Sequence, residues 1–94
     1  MSLSPASKII DVRDAAEFAA GHVLGATNLN VENGDLEAAL TELDKGAAYS
    51  VYCRSGRRSA IAAGLMAKAG FTSVTDLGAL EDAAKSLNLP IVTK

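Results

Sequence analysis

Cys53 is the sequence's only cysteine, and three of its four arginines, Arg54, Arg57 and Arg58, follow within five residues. The stretch Tyr49-Ser50-Val51-Tyr52-Cys53-Arg54-Ser55-Gly56-Arg57-Arg58-Ser59 reads as a short β-run, a tight polar loop and the start of a helix. A thiol at the end of a strand, facing a helix N-terminus and ringed by guanidinium groups, favours the thiolate and holds anions. If residues 54–58 curl around Cys53, their N–H groups point at its sulfur, and Gly56 supplies the backbone freedom for the curl. An unperturbed thiol ionises near pH ~8.5, and settings of this kind lower that by about one to several units. Cys53 is therefore the candidate nucleophile, suited to attack electrophilic sulfur or phosphorus. Arg54, Ser55, Gly56, Arg57, Arg58 and Ser59 form the candidate substrate-binding loop. A lone cysteine is by default a buried core thiol, but that reading leaves the arginines unexplained. Cations at a helix N-terminus oppose its dipole unless an anion is bound there.

The rest of the chain must position that loop. Lys8-Ile9-Ile10-Asp11-Val12 is a β-branched run and a buried strand. Asp14 and Glu17 have the spacing of a capping box for a short helix over 15–20, which stops at Gly21 in the left-handed conformation. Residues 21–26 form a connector, and Ala26–Leu29 a weak strand. Asn33-Gly34-Asp35 is a turn, with Asp35 capping a helix over 36–43. After the Tyr49–Cys53 strand, Ile61, Ala62, Leu65, Met66 and Ala69 form the apolar stripe of a second helix. Gly70 closes it, with Phe71 packing back near Met66. Gly64, inside that helix, costs roughly 1 kcal/mol against Ala, and close helix–sheet approach is its expected justification. Ser73–Leu77 is a further strand. Leu80, Ala83, Ala84 and Leu87 mark a last helix that ends at Asn88, and Ile91–Thr93 is a final short strand. Residues 1–7 carry no pattern and are expected to be a flexible tail.

Strands alternating with helices indicate an α/β domain with a mainly parallel sheet of four to five strands and helices on both faces. Ligands of such sheets bind at the C-terminal strand ends. Cys53 and the Asp11–Arg13 segment both lie at such ends and are expected to share a rim. Asp11 is expected to satisfy loop amides, Arg13 to pair with Glu17, and His22 to make a structural hydrogen bond to the backbone. Ser59 steadies the loop, and Tyr52 packs on the opposite side of its strand from its neighbours.

Ninety-four residues with 49% hydrophobic content, no Trp and only two Phe and two Tyr make one small domain with an aliphatic core. The net charge of −2 gives no bulk field for nucleic acid or an acidic membrane. The cationic loop points to a small anion instead. One cysteine excludes an internal disulfide and a multi-cysteine metal site. The N-terminus lacks a signal peptide's basic and apolar regions, and no apolar run approaches the ~20 residues of a membrane span. The expectation is a cytoplasmic protein with a reduced thiol.

The chain resembles a single-domain rhodanese, a sulfurtransferase. Ile9-Ile10-Asp11-Val12-Arg13, Glu17-Phe18 and Gly21-His22-Val23-Leu24-Gly25-Ala26 are similar to the family's N-terminal signature. Cys53-Arg54-Ser55-Gly56-Arg57-Arg58-Ser59 is similar to its active-site loop, and Val74-Thr75-Asp76-Leu77-Gly78 to the segment that follows. The resemblance implies a Cys53 persulfide, loaded from a donor such as thiosulfate and unloaded onto cyanide, a thiol or a protein cysteine, with no metal or organic cofactor. It assigns the anionic donor to Arg54 and Arg58, and leaves Arg57 to solvent or a partner. The family often carries two glycines and then a tryptophan where this chain has Gly78-Ala79-Leu80, which alters packing beside the site. Many relatives also begin with a further strand and helix, which residues 1–7 are too few to supply.

Two other functions compete. A phosphatase or arsenate-type enzyme uses a cysteine, about five residues and then an arginine that closes on the anion bidentately; the sixth residue after Cys53 is Ser59. A sulfur carrier or partner-binding domain within a protein relay uses the same loop and differs in taking its sulfur from a partner's cysteine.

Overall fold

The computed structural model describes residues 8–93; the tail expected at 1–7 lies outside the described residues. The β-branched run forms β1 (Lys8–Asp11). Asp14 caps α1 (Ala15–Ala20) with the full reciprocal pair: its carboxylate accepts from the Glu17 amide at 2.8 Å, and Glu17 accepts from the Asp14 amide at 3.3 Å. After it come β2 (His22–Val23), β3 (Thr27–Asn28), α2 (Asp35–Leu40), β4 (Ala48–Cys53), α3 (Arg57–Lys68), β5 (Ser73–Ala79), α4 (Leu80–Leu87) and β6 (Ile91–Val92).

The central sheet has four strands in the order β3-β1-β4-β5, all parallel. Alternation along β4 divides the core. Tyr49, Val51 and Cys53 face the cluster that contains Leu36 and Leu40 of α2 and Ala62 and Met66 of α3. Tyr52 points the other way, into the cluster with Val23 of β2 and Ala83 of α4. Helices therefore cover both faces, as the period-2 pattern requires of a strand buried on both sides. Tyr49 meets Phe71 edge-on at 5.5 Å. Tyr52, fully buried, accepts a hydrogen bond from the Val23 amide at 3.0 Å.

Several expectations are corrected. Gly21 is extended (φ 166) rather than left-handed, because the chain runs straight into β2. The expected connector at 21–26 thus contains a strand, and β6 pairs antiparallel with it in a separate ribbon rather than joining the main sheet. Asp35 opens α2 instead of capping it; Asn33 accepts the Asp35 amide at 3.0 Å, and the helix ends at Leu40, three residues early. The closure of α3 is as expected: Gly70 is left-handed (φ 99), its amide reaches Ala67 O at 3.1 Å, and the Phe71 amide reaches Met66 O at 3.0 Å. Ile61, assigned to the apolar stripe, is 54% exposed. Gly64 faces solvent, with nothing within 4 Å of an added Cβ, so no close helix–sheet approach explains it. Among the described residues, no helix is long and apolar enough to cross a membrane.

Because Gly64 has helical geometry and open space, Gly64→Ala is expected to stabilise the protein by about 1 kcal/mol. Urea unfolding monitored by circular dichroism measures this; an unchanged or lower midpoint would count against the solvent-facing placement.

Candidate active site

β4 ends on Cys53, and the chain turns through Arg54 and Ser55 to Gly56, which is left-handed (φ 98) and immediately precedes α3. This turn brings the Gly56 amide to 2.9 Å from Cys53 Sγ, into which it donates. Ser59 Oγ lies 3.5 Å from the sulfur, and its hydroxyl bonds the Gly56 carbonyl at 3.1 Å. Cys53 and Ser59 are both fully buried. Burial by itself pushes the thiol up. The Ser59 hydroxyl, followed by the amides of Ser59, Gly56 and Ser55, outweighs it and holds Cys53 below its ordinary value. The curled loop inferred from the sequence is thus an amide and hydroxyl cradle around the sulfur. Gly56 also packs closely: a Cβ there would sit 3.6 Å from Gly78 Cα, at the end of β5.

The arginines are sorted by partner. Arg58 grips Glu17 with two hydrogen bonds of 2.7 and 3.0 Å and has Glu32 at 3.7 Å. This corrects one expectation, since Glu17 does not pair with Arg13, and it gives Arg58 a carboxylate partner inside the fold. Arg13 instead turns back on Asp11, two residues away. Its Nε reaches Oδ1 at 2.9 Å and its Nη2 reaches Oδ2 at 2.6 Å, while its own amide donates to Oδ1 at 2.9 Å. Asp11 therefore accepts the amide of Arg13 rather than amides of the Cys53 loop, and its main partner is the Arg13 side chain. Arg54 and Arg57 are exposed and enter no ion pair among the described residues.

β1 and β4 are neighbours, with Asp11 opposite Tyr52, so the Asp11–Arg13 segment and Cys53 do share a rim. Asn28, which the sequence reading passed over, ties that rim together: its side-chain amide donates to the carbonyls of Asp11 at 3.1 Å and Arg13 at 2.8 Å. The available signal was a polar residue inside a short strand. His22 makes the expected backbone contact, Nδ1 to Phe18 O at 2.9 Å, and stacks on the Phe18 ring at 3.8 Å. It is part of the scaffold.

At this rim lies a cleft of about 570 Å³, lined by Arg13, Glu17, Gly21, Arg54, Leu80 and Glu81 among others. Cys53 itself is not in the lining, but its successor Arg54 is, and Ala79, just before Leu80, pairs with Cys53 in the sheet. Leu80 occupies the place where the resemblance leads one to expect an indole.

The family model described as Rhodanese-like domain matches residues 2–82. Thiosulfate sulfurtransferase PspE of Escherichia coli is 35% identical over 75 residues, covering 80% of this chain and 72% of that protein. Thiosulfate sulfurtransferase GlpE of Ectopseudomonas mendocina is 36% identical over 69 residues, covering 73% of this chain and 62% of GlpE. The Bacillus subtilis protein YrkF, whose name marks it as a candidate sulfur carrier, is 35% identical over 69 residues, of which this chain spans only 36% of the length. Among solved structures, one described as rhodanese with anions from E. coli superposes with a TM-score of 0.79 at 32% identity, covering 95% of this chain and all of that one. The Alr3790 protein of Anabaena superposes with a TM-score of 0.81 at 29% identity, covering 96% of this chain and 80% of that one.

Two outcomes follow from the cradle. Ser59→Ala removes a hydroxyl that stabilises the charged sulfur, so the Cys53 thiol should titrate at higher pH in the rate of iodoacetamide alkylation; an unmoved titration would remove Ser59 from the cradle. The lowered thiol also links folding to pH. A group held below its unfolded value stabilises the fold fully above that value and loses the contribution as pH falls through the folded one. Stability measured relative to Cys53→Ser should accordingly rise as pH climbs toward about 8.5, and a flat difference would show that the sulfur is not charged in the fold.

Proposed function

The chain belongs to the rhodanese-like domain family, and from that membership we propose that it is a sulfurtransferase working through a persulfide on Cys53. The observation that carries this reading is the cradle: the Gly56 amide donates to Cys53 Sγ at 2.9 Å, with Ser59 Oγ 3.5 Å from the same sulfur. The thiolate attacks the outer, sulfane sulfur of thiosulfate. A sulfur–sulfur bond forms to Cys53 while the bond to the sulfite group breaks, and sulfite leaves with the electron pair. The terminal sulfur then takes the negative charge, and the loop amides that stabilised the thiolate are placed to stabilise it. A nucleophilic acceptor attacks that outer sulfur, the bond to Cys53 breaks, and the electron pair returns to Sγ. No net oxidation occurs, and each half-reaction is a displacement at sulfur.

Arg54 is the donor-binding cation in this scheme, since it lines the cleft beside Cys53 and carries no internal counter-ion among the described residues. Ser55, Gly56 and Ser59 act through the cradle, and Arg57 faces incoming anions or a partner at the loop's outer side. Asp11, Arg13, Glu17 and His22 hold the scaffold. The phosphatase reading is disfavoured by Arg58 and Ser59. The arginine nearest the position that would close on phosphate is bound to Glu17, and Ser59 is turned into the loop against Gly56. The relay reading has support from YrkF and is distinguished by whether a small donor suffices.

Thiosulfate treatment followed by intact-mass measurement should add about 32 Da, one sulfur atom, to Cys53. Cyanide should remove it as thiocyanate, and Cys53→Ser should carry none. Arg54→Gln should raise KM for thiosulfate roughly tenfold, the worth of one charge-assisted hydrogen bond. An absent adduct with slow turnover, yet loading from a protein persulfide, would favour the relay; aryl-phosphate hydrolysis without sulfur loading would overturn the scheme.

A further inference from the structure

The cleft beside the loop has a charge pattern that a simple anion does not need. Arg13 is 4% exposed, and its Nε and Nη2 are held by Asp11 and the Gly21 carbonyl. Its Nη1 makes no hydrogen bond among the described residues, yet no buried side-chain polar atom there lacks a partner. Nη1 is the donor of Arg13 that no described residue takes up, and Arg13 lines the cleft. Arg54 adds a second cation to the same wall. Of the two acids in the lining, Glu17 is committed to Arg58 and the Asp14 amide. Glu81 is exposed and carries no ion pair among the described residues. Leu80 and Ile91, the latter 43% exposed, give the cleft apolar walls.

Two uncommitted donor groups, one uncommitted carboxylate and an apolar wall in about 570 Å³ suit a small molecule bearing both charges. We propose that the cleft is the acceptor subsite and that it selects a zwitterionic amino-acid thiol, free cysteine or a short cysteine peptide. Arg13 Nη1 and Arg54 bind its carboxylate, Glu81 binds its ammonium, and its carbon chain lies against Leu80 and Ile91. The assignment rests on the persulfide scheme above. The acceptor thiolate attacks the outer sulfur of the Cys53 persulfide, a new sulfur–sulfur bond forms on the acceptor, and the bond to Cys53 breaks with the electron pair retained by Sγ. The product leaves as the acceptor's persulfide. Arg54 serves donor and acceptor in turn, as a two-step displacement at one sulfur allows.

Three thiols test this: L-cysteine, cysteamine (which lacks the carboxylate) and 3-mercaptopropionate (which lacks the ammonium). Their kcat/KM values are measured with thiosulfate as donor and compared per thiolate. Cysteine should exceed both of the others. In Glu81→Gln, the ratio of kcat/KM for cysteine to that for 3-mercaptopropionate should fall about tenfold. Leu80→Trp, which fills the cleft without altering its charges, should lower turnover with all three thiols. Equal kcat/KM values for the three thiols, or a Glu81→Gln ratio equal to wild type, would overturn the subsite. Wild-type turnover with cyanide, too small to need the cleft, separates the two ideas: cyanide turnover without thiol selectivity refutes only the subsite, and its absence refutes the persulfide scheme.

Discussion

The sulfur of Cys53 stands where a helix N-cap side chain ordinarily stands. α3 is preceded by Gly56, which has no side chain to accept the free amides of the first turn, and that turn contains no acidic residue. Cys53 Sγ accepts the Gly56 amide there instead, and the nearby Ser59 and Ser55 amides help hold its thiol below the ordinary value. A neutral thiol is a weak acceptor and a thiolate a strong one. Order at the start of α3 and ionisation of the nucleophile are therefore one equilibrium. Whatever tightens the loop lowers the cost of the charge, and whatever leaves the sulfur neutral loosens the loop. This is why burial, which by itself opposes ionisation, does not silence this cysteine.

The acid–base pairs around the loop divide the remaining charge. Asp11 and Arg13 are buried and bidentate, the kind of pair whose value lies in position more than in stability, because loss of one partner strands the other. Arg58 and Glu17 are partly exposed and tie α1 to the start of α3. Hydrogen bonding by Arg58 holds the Glu17 carboxyl down at about 2, so that tie persists wherever a thiolate exists. Together the two pairs give two of the site's four arginines an internal counter-ion. Arg54 and Arg57 enter no ion pair among the described residues.

The aliphatic core also has a functional side. With few aromatic residues, the two tyrosines of β4 fill opposite faces, Tyr49 against Phe71 and Tyr52 against Val23. At the junction of β5 and α4, Gly78 lies against the Gly56 turn, and Leu80 stands at the cleft edge.

The local signals were strong wherever one stretch of chain decides its own geometry. The Cys53 loop, the Asp14–Glu17 capping box, the Gly70 closure of α3 and the inside-out alternation of Tyr52 depend on residues a few positions apart, and period and turn chemistry report them directly. The signals failed where the deciding partner is remote. Arg13 looked as available to Glu17 as to Asp11, and only the tertiary fold brings Glu17 of α1 to Arg58 at the start of α3, forty-one residues away. Ile61 fitted the helical stripe and Gly64 an expected close approach to the sheet, but both face solvent. Asn28 had no visible role until β3 lay beside β1. By itself, then, the sequence determined the fold class, the candidate nucleophile and the family, because those follow from short-range pattern. The tertiary structure alone decided which arginines are neutralised and where a cleft remains, because charge pairing and empty space depend on distances between elements that no spacing along the chain encodes.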